Sequence, residues 1–141
     1  MDENLKKEII LENYQNPKNR GLTSDDDYKR INSKSKTCID QIDLQIKIKD
    51  DIIEDIRFDG EACAICTSST SVMINNLIGK KCGDAKDIVN SFINMIDEKE
   101  YDESILNEAI VYKDISKQPN RKNCALMSWK SAEKLISEEN K

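Results

Sequence analysis

The chain has no histidine. A metal or sulfur site working at neutral pH must therefore be built from thiolates and carboxylates. No uninterrupted run of roughly 18 apolar residues is present, which excludes a membrane-crossing helix by hydropathy. Basic residues are not in excess either: 22 Lys and Arg stand against 27 Asp and Glu, a formal charge of −5. That balance disfavours binding to a phosphate backbone and docking on an anionic lipid surface, so neither nucleic acid nor membrane is expected as a partner. The start, Met1-Asp2-Glu3-Asn4, is acidic and lacks the basic and apolar parts of a secretory signal, and the expected location is the cytoplasm. In that reducing setting the five cysteines are expected as thiols with a metal or catalytic use, not as a disulfide framework.

The 141 residues suit a single domain over 1–141 with a lean core, since 38% are hydrophobic and 35% charged. Regular apolar periodicity argues against disorder. Leu5 with Ile9, and Ile10 with Tyr14, predict a short helix over 3–15, ended by Asn16-Pro17. Gly21 through Asp27 reads as a loop. Ile42, Leu44, Ile46 and Ile48 alternate with polar residues, a strand with one buried face. Asp50-Asp51 makes a turn, and Ile52, Ile56 and Phe58 carry the return strand inward. The Tyr28–Ile31 stretch adds a weaker strand signal. From Thr67 the pattern turns helical, with the Thr67–Ser71 hydroxyls as N-cap choices and Gly79 as the stop. A further helix starts near Asp84, with Val89, Phe92, Ile93, Met95 and Ile96 as its buried side. Residues 99–119 are polar and less regular, an exposed segment suited to partner contact. A last helix is predicted over 125–137, with Ala125, Trp129, Ala132 and Ile136 on one face. The order gives an α+β fold, a small antiparallel β-sheet packed against several α-helices.

Three cysteines fall at the ends of these elements. Cys38, with Asp40 two residues on, precedes the first clear strand; Cys63 follows the hairpin; Cys124 precedes the last helix. Two of them stand before helix N-termini, where the dipole and free N–H groups favour an acidic, nucleophilic thiol. One such cysteine alone reads as a small buried hydrophobe. Three, with Asp40, read as a site: three thiolates and a carboxylate close a shell around zinc, or hold an iron–sulfur cluster with one replaceable ligand. Cys63 and Cys66 also form a CxxC, which would suit a thiol redox protein, although no thioredoxin-like βαβ order surrounds it. Otherwise Cys66 reads as a packed small residue or spare ligand, and Cys82 as incidental. A purely structural zinc domain is a further alternative; it would unfold on metal removal.

Four segments carry a resemblance. They are Glu12-Asn13-Tyr14-Gln15-Asn16-Pro17-Lys18-Asn19-Arg20-Gly21, then Thr37-Cys38-Ile39-Asp40, then Ile53-Glu54-Asp55-Ile56-Arg57-Phe58 with Gly60-Glu61-Ala62-Cys63-Ala64-Ile65, and last Lys122-Asn123-Cys124-Ala125 with Ser128-Trp129. Each is weak alone. In this order and spacing they make nearly the whole chain resemble the IscU/SufU family of NifU-like N-terminal proteins, which serve iron–sulfur cluster biogenesis. The additional segment near Lys99-Glu100-Tyr101-Asp102 and Ser116-Lys117-Gln118-Pro119, and Asn123 where the IscU branch tends to carry histidine, make the resemblance closer to SufU.

That resemblance implies a tightly bound zinc held by Cys38, Asp40, Cys63 and Cys124. It also implies sulfur accepted as a persulfide from a SufS-like cysteine desulfurase, with Cys38 as the acceptor thiol once a partner side chain has replaced it on the metal. Such a chain is a sulfur carrier rather than a self-contained enzyme. Arg121, three residues before Cys124, would stabilise a thiolate or contact the partner; equally, it reads as a solvated surface arginine. The alternative is a scaffold on which the same residues hold a labile [2Fe–2S] cluster, passed on to downstream assembly or acceptor proteins. The chain departs from the pattern at Ile39 and Ala62, where glycines are usual, at Cys66, where serine or another small residue is usual, and at Asn123. A β-branched Ile39 would be strained if its position requires a positive φ.

Overall fold

The computed structural model describes residues 1–35 and 40–139. Helix α1 (Glu3–Gln15) follows the predicted span. Asp2 caps it, its carboxylate accepting the Leu5 N–H at 2.8 Å. The chain leaves the helix at Asn16, before Pro17.

Strands β1 (Lys29–Lys34), β2 (Gln41–Lys49) and β3 (Ile52–Glu61) form one antiparallel sheet in the order β1-β2-β3. Asp50 and Asp51 both take positive φ, 53° and 65°, the turn geometry whose twist matches a two-residue hairpin. Ile42, Leu44 and Ile46 point into the core as their alternation requires. On β3 the alternation breaks. Ile52 is 38% exposed, and Ile53 is buried in its place beside Ile56 and Phe58. The cause is a register shift at Lys47/Ile48: Ile46 pairs with Ile56, but Ile48 pairs with Ile53, so β3 carries one residue more than β2. The outer edge of β3 is closed by the chain at 19–21. There Gly21 donates to the Phe58 carbonyl at 2.7 Å and Phe58 donates to that of Asn19 at 3.3 Å.

Helix α2 (Ala64–Leu77) starts three residues before Thr67, and the Cys63 side chain caps it instead of a Ser or Thr hydroxyl. Residues Thr67–Ser71 lie inside the helix, all five buried. Each is hydrogen-bonded. Thr67 donates to the Ala62 carbonyl and Ser68 accepts from the Tyr112 hydroxyl. Ser69 meets Ala125 and Trp129, Thr70 meets Ser128, and Ser71 donates to Asn13. Helix α3 (Cys82–Ile96) begins before Asp84, which sits in its first turn and does not cap it. Helix α4 (Pro119–Glu139) begins six residues before the predicted start, with proline at the first position, where its missing N–H costs nothing.

Between α3 and α4 run two stretches of 3-10 helix, Glu103–Ile105 and Asn107–Lys117. This segment is not simply an exposed insertion, because Leu106, Ala109 and Tyr112 are fully buried. Helix α4 lies against β1 and β2, α2 against β3, and α1 and α3 flank the two helices. The core closes where Phe92 stacks on Trp129, ring centroids 3.9 Å apart, with Tyr112 edge-on to Phe92. No described helix is long and apolar enough to cross a membrane.

Candidate functional site

Three chain segments converge at one end of the sheet. Asp40 immediately precedes β2 and is 2% exposed. One carboxylate oxygen accepts the Cys63 N–H at 2.7 Å, which ties the β2 start to the β3–α2 junction. Gly60 permits that approach. Its φ is +144°, and a Cβ there would stand 2.1 Å from the Gln41 carbonyl oxygen. Cys124 comes from α4. Next to it, the Ala125 carbonyl accepts from Ser69 at 2.8 Å, and Ser69 in turn accepts from the Trp129 indole at 2.9 Å, so α4 is locked to α2 beside the thiol.

The ligating atoms of Asp40, Cys63 and Cys124 all lie within 4.8 Å of one another. Sulfurs sharing a tetrahedral zinc at about 2.3 Å would stand roughly 3.7 Å apart, so side-chain adjustments of about 1 Å suffice. Two sulfurs and a carboxylate oxygen suit zinc or the iron of a cluster, with one donor still to be supplied. Cys38, the expected fourth ligand, lies outside the described residues, as do Thr37 and Ile39.

The two described thiols of the site differ. Cys124 is buried, and its thiol is pushed far above the usual cysteine range, first by burial, then by hydrogen bonding to Asp40 and Cys63, then by their charges. The sequence argument for an acidic thiol assumed that Cys124 precedes the last helix. It sits inside α4, beyond the free N–H groups of the first turn. Cys63 is half-buried at the α2 N-cap, its sulfur accepting the Cys66 N–H at 3.4 Å. It opens into a cleft of about 420 Å³ lined also by Tyr14, Arg20, Glu61 and Thr67. Arg20 is held there by the Gly60 carbonyl at 2.7 Å and by Asp59 at 3.3 Å. Arg20 and Gly60 stand in the segments that carry the resemblance, but no role at the site was read from either.

Of the remaining candidates, Arg121 is exposed on the first turn of α4, and among the described residues its side chain forms no ion pair. Cys66 is fully buried with its sulfur 3.9 Å from that of Met127, and Cys82 is a core residue at the start of α3. A larger cleft of about 900 Å³ lies along α3 and the 3-10 segment, lined by Asp84, Asn94, Glu100 and Asp102 among others. It contains no thiol and shares no residue with the thiol site.

The model of the NifU-like N-terminal domain family matches residues 5–125. The chain is 38% identical over 136 residues to the zinc-dependent sulfurtransferase SufU of Bacillus subtilis, covering 96% of this chain and 91% of that protein. It is 28% identical to the iron–sulfur cluster assembly scaffold protein IscU of Thermotoga maritima, covering 92% and 90%. Among solved structures, a candidate iron–sulfur cluster assembly scaffold protein for the SUF system of Fervidobacterium islandicum superposes with a TM-score of 0.83 at 32% identity, over 92% of this chain and 95% of that one. By the span of the family model and the identity to its relatives, the chain belongs to the family of NifU-like N-terminal domains.

Proposed function

We propose that this is an iron–sulfur cluster assembly protein of the SufU type, a zinc-dependent sulfur acceptor that takes persulfide sulfur from a cysteine desulfurase. The observation that carries the reading is the convergence of the Asp40, Cys63 and Cys124 donor atoms within 4.8 Å, in a chain similar to a zinc-dependent sulfurtransferase. The proposed ligands are Cys38, Asp40, Cys63 and Cys124. Zinc bound there would hold the thiols deprotonated and shield them from oxidation.

Cys38 is the proposed acceptor. Its thiolate attacks the outer sulfur of the donor's persulfide, and the donor leaves as a thiolate. Asp40 holds the Cys63 backbone, and through it the start of α2, in place. Arg121, exposed on the first turn of α4, is the proposed partner contact from that side. The reaction belongs in a reducing cytoplasm, where free thiols persist.

A second reading, the [2Fe–2S] scaffold, is favoured by the same donor set together with the IscU relatives. Metal and acid-labile sulfide content of protein purified without oxygen separates the two. About one zinc per chain and no colour supports the acceptor. Iron with matching sulfide and visible charge-transfer bands supports the scaffold. In the acceptor reading, Cys38→Ala abolishes stimulation of the desulfurase while retaining most of the binding; a Cys38→Ala protein that still accepts sulfur overturns the assignment.

A further inference from the structure

A further cleft, of about 400 Å³, opens between the end of β1 and α4. Three lysines line it and no carboxylate does, although the chain as a whole carries a charge of −5. Lys34 comes from β1, and Lys130 and Lys134 stand four residues apart on α4. All three are exposed, and among the described residues none of them forms an ion pair. Like charges one helical turn apart repel, so the cleft holds a positive field that no lining acid offsets. Its walls are fixed, because the Ser33 and Ser131 hydroxyls hydrogen-bond to each other and fasten β1 to α4. The buried side chains of Leu126 and Met127 add apolar surface. The cleft adjoins the thiol site. Lys34 pairs with Gln41, the residue after Asp40, and the Ser35 N–H donates to the Asp40 carbonyl at 2.9 Å. On the α4 wall, Asn123 directly precedes Cys124.

Resting on the sulfur-acceptor reading, we infer that this lysine cleft docks an acidic segment of the protein that donates the persulfide. Charge complementarity carries the inference: three cations without a counter-charge, on an otherwise acidic chain, call for carboxylates from outside. A nucleic acid would meet repulsion from the rest of the chain. Free phosphate is the poorer fit, since its bidentate recognition draws on the arginine fork and no arginine lines the cleft. A segment that mixes carboxylates with apolar side chains meets both the lysines and the Leu126–Met127 surface. Seated there, the donor stands beside the strand start that carries Asp40 and the helix turn that carries Cys124. The cleft at Cys63 is less suited to an acidic segment, because Glu61 and Asp40 share it with Arg20. Complementary charge of this kind speeds encounter and fixes orientation, and salt weakens it.

The test measures binding of the full, zinc-loaded chain to a SufS-like cysteine desulfurase from the same organism, by titration calorimetry at about 0.05 M and about 0.3 M salt. Lys130→Glu combined with Lys134→Glu is expected to weaken binding at least about tenfold at the lower salt and to flatten the salt dependence. Lys130→Gln with Lys134→Gln, which removes the charges without reversing them, is expected to fall between that pair and wild type. The control is Lys49→Glu with Lys80→Glu, the same charge change at the hairpin end of the sheet, where Lys49 pairs with Ile52 and the Lys80 carbonyl accepts the Ile53 N–H. Its binding is expected to stay within about twofold of wild type. A carbodiimide, which joins a lysine amine to a touching carboxylate as an amide, is expected to link Asp or Glu peptides of the desulfurase to Lys34, Lys130 or Lys134. Unchanged binding by the Lys130/Lys134 variants, equal weakening by the control, or links that miss all three lysines overturns the docking site while the acceptor reading stands. No binding of the desulfurase by the wild-type chain overturns both.

Discussion

Replacing Ser69 with alanine tests whether the polar contact between α2 and α4 holds the site together. Ser69 is 1% exposed; its hydroxyl donates to the Ala125 carbonyl at 2.8 Å and accepts from the Trp129 indole at 2.9 Å. Alanine leaves the indole N–H without an acceptor in a dry interior, a cost of about 1–3 kcal/mol. The Ala125 carbonyl keeps its place in the helical ladder, so its loss is smaller, about 0.5–1 kcal/mol. The expected total is about 2–3 kcal/mol, or a fall in Tm of roughly 6–15 °C for a domain of this size. Urea unfolding followed by far-UV circular dichroism measures it without depending on Trp129 fluorescence. In a Trp129→Phe background the same substitution removes no partner from a buried donor, and its cost is expected to shrink by about 1–2 kcal/mol. Because Ala125 follows Cys124, Ser69→Ala should also speed Cys124 alkylation. A cost under about 0.5 kcal/mol, equal in both backgrounds, would refute the reasoning.

Gly60→Ala places a Cβ 2.1 Å from the Gln41 carbonyl at a φ of +144°. Backbone strain alone costs about 1–3 kcal/mol, and zinc affinity measured against a chromophoric chelator should fall, because the Asp40–Cys63 contact loosens. Tyr112 is pushed above the free value of 10.0 by burial, so its stabilising contribution is complete below that pH and is lost as the pH rises above it. Tyr28, pushed up to about 12 by burial and by its bond to Asp55, acts in the same direction. Urea midpoints should drop as the pH rises from about 10 towards 12, and Tyr112→Phe should flatten that limb; a midpoint independent of pH there contradicts it. Removing metal with a chelator should lower Tm yet leave far-UV circular dichroism intact, because the helices bury their own apolar core against the sheet. Loss of the helical signal would instead support the purely structural zinc domain.

The α+β layout was legible because α1, the β2 alternation and the Asp50-Asp51 turn are local signals, each spelled out within a few residues. The misplacements had non-local or unusual causes. Ile52 and Ile53 exchanged roles through a register shift that is set by pairing with β2. The start of α2 was hidden because the cap is a thiol, while the hydroxyls that read as caps are spent on Trp129, Tyr112 and Asn13, residues far along the chain. Pro119 read as loop yet opens α4, and this moved Cys124 away from the helix terminus and removed the basis for an acidic thiol there. The candidate ligands themselves could be named from the sequence. Their approach to one another depends on the tight passage of Gly60 past Gln41, a contact between strands that spacing alone does not encode.

The strip of chain at 19–21 also bears on self-association. A three-stranded sheet has two edges, and each exposed row of N–H and C=O groups is a template for another molecule. On the β3 side, Asn19 and Gly21 already occupy the Phe58 hydrogen bonds, and the Asn19 amide, donating to Asp55 and the Ile56 carbonyl at 3.0 Å, fixes the strip in place. On the other side, β1 carries Lys29, Arg30 and Lys34. Strand addition there would stack those like charges against a second copy's. Both edges of the sheet are therefore blunted against pairing with a second copy, one by hydrogen bonds already made and the other by charge.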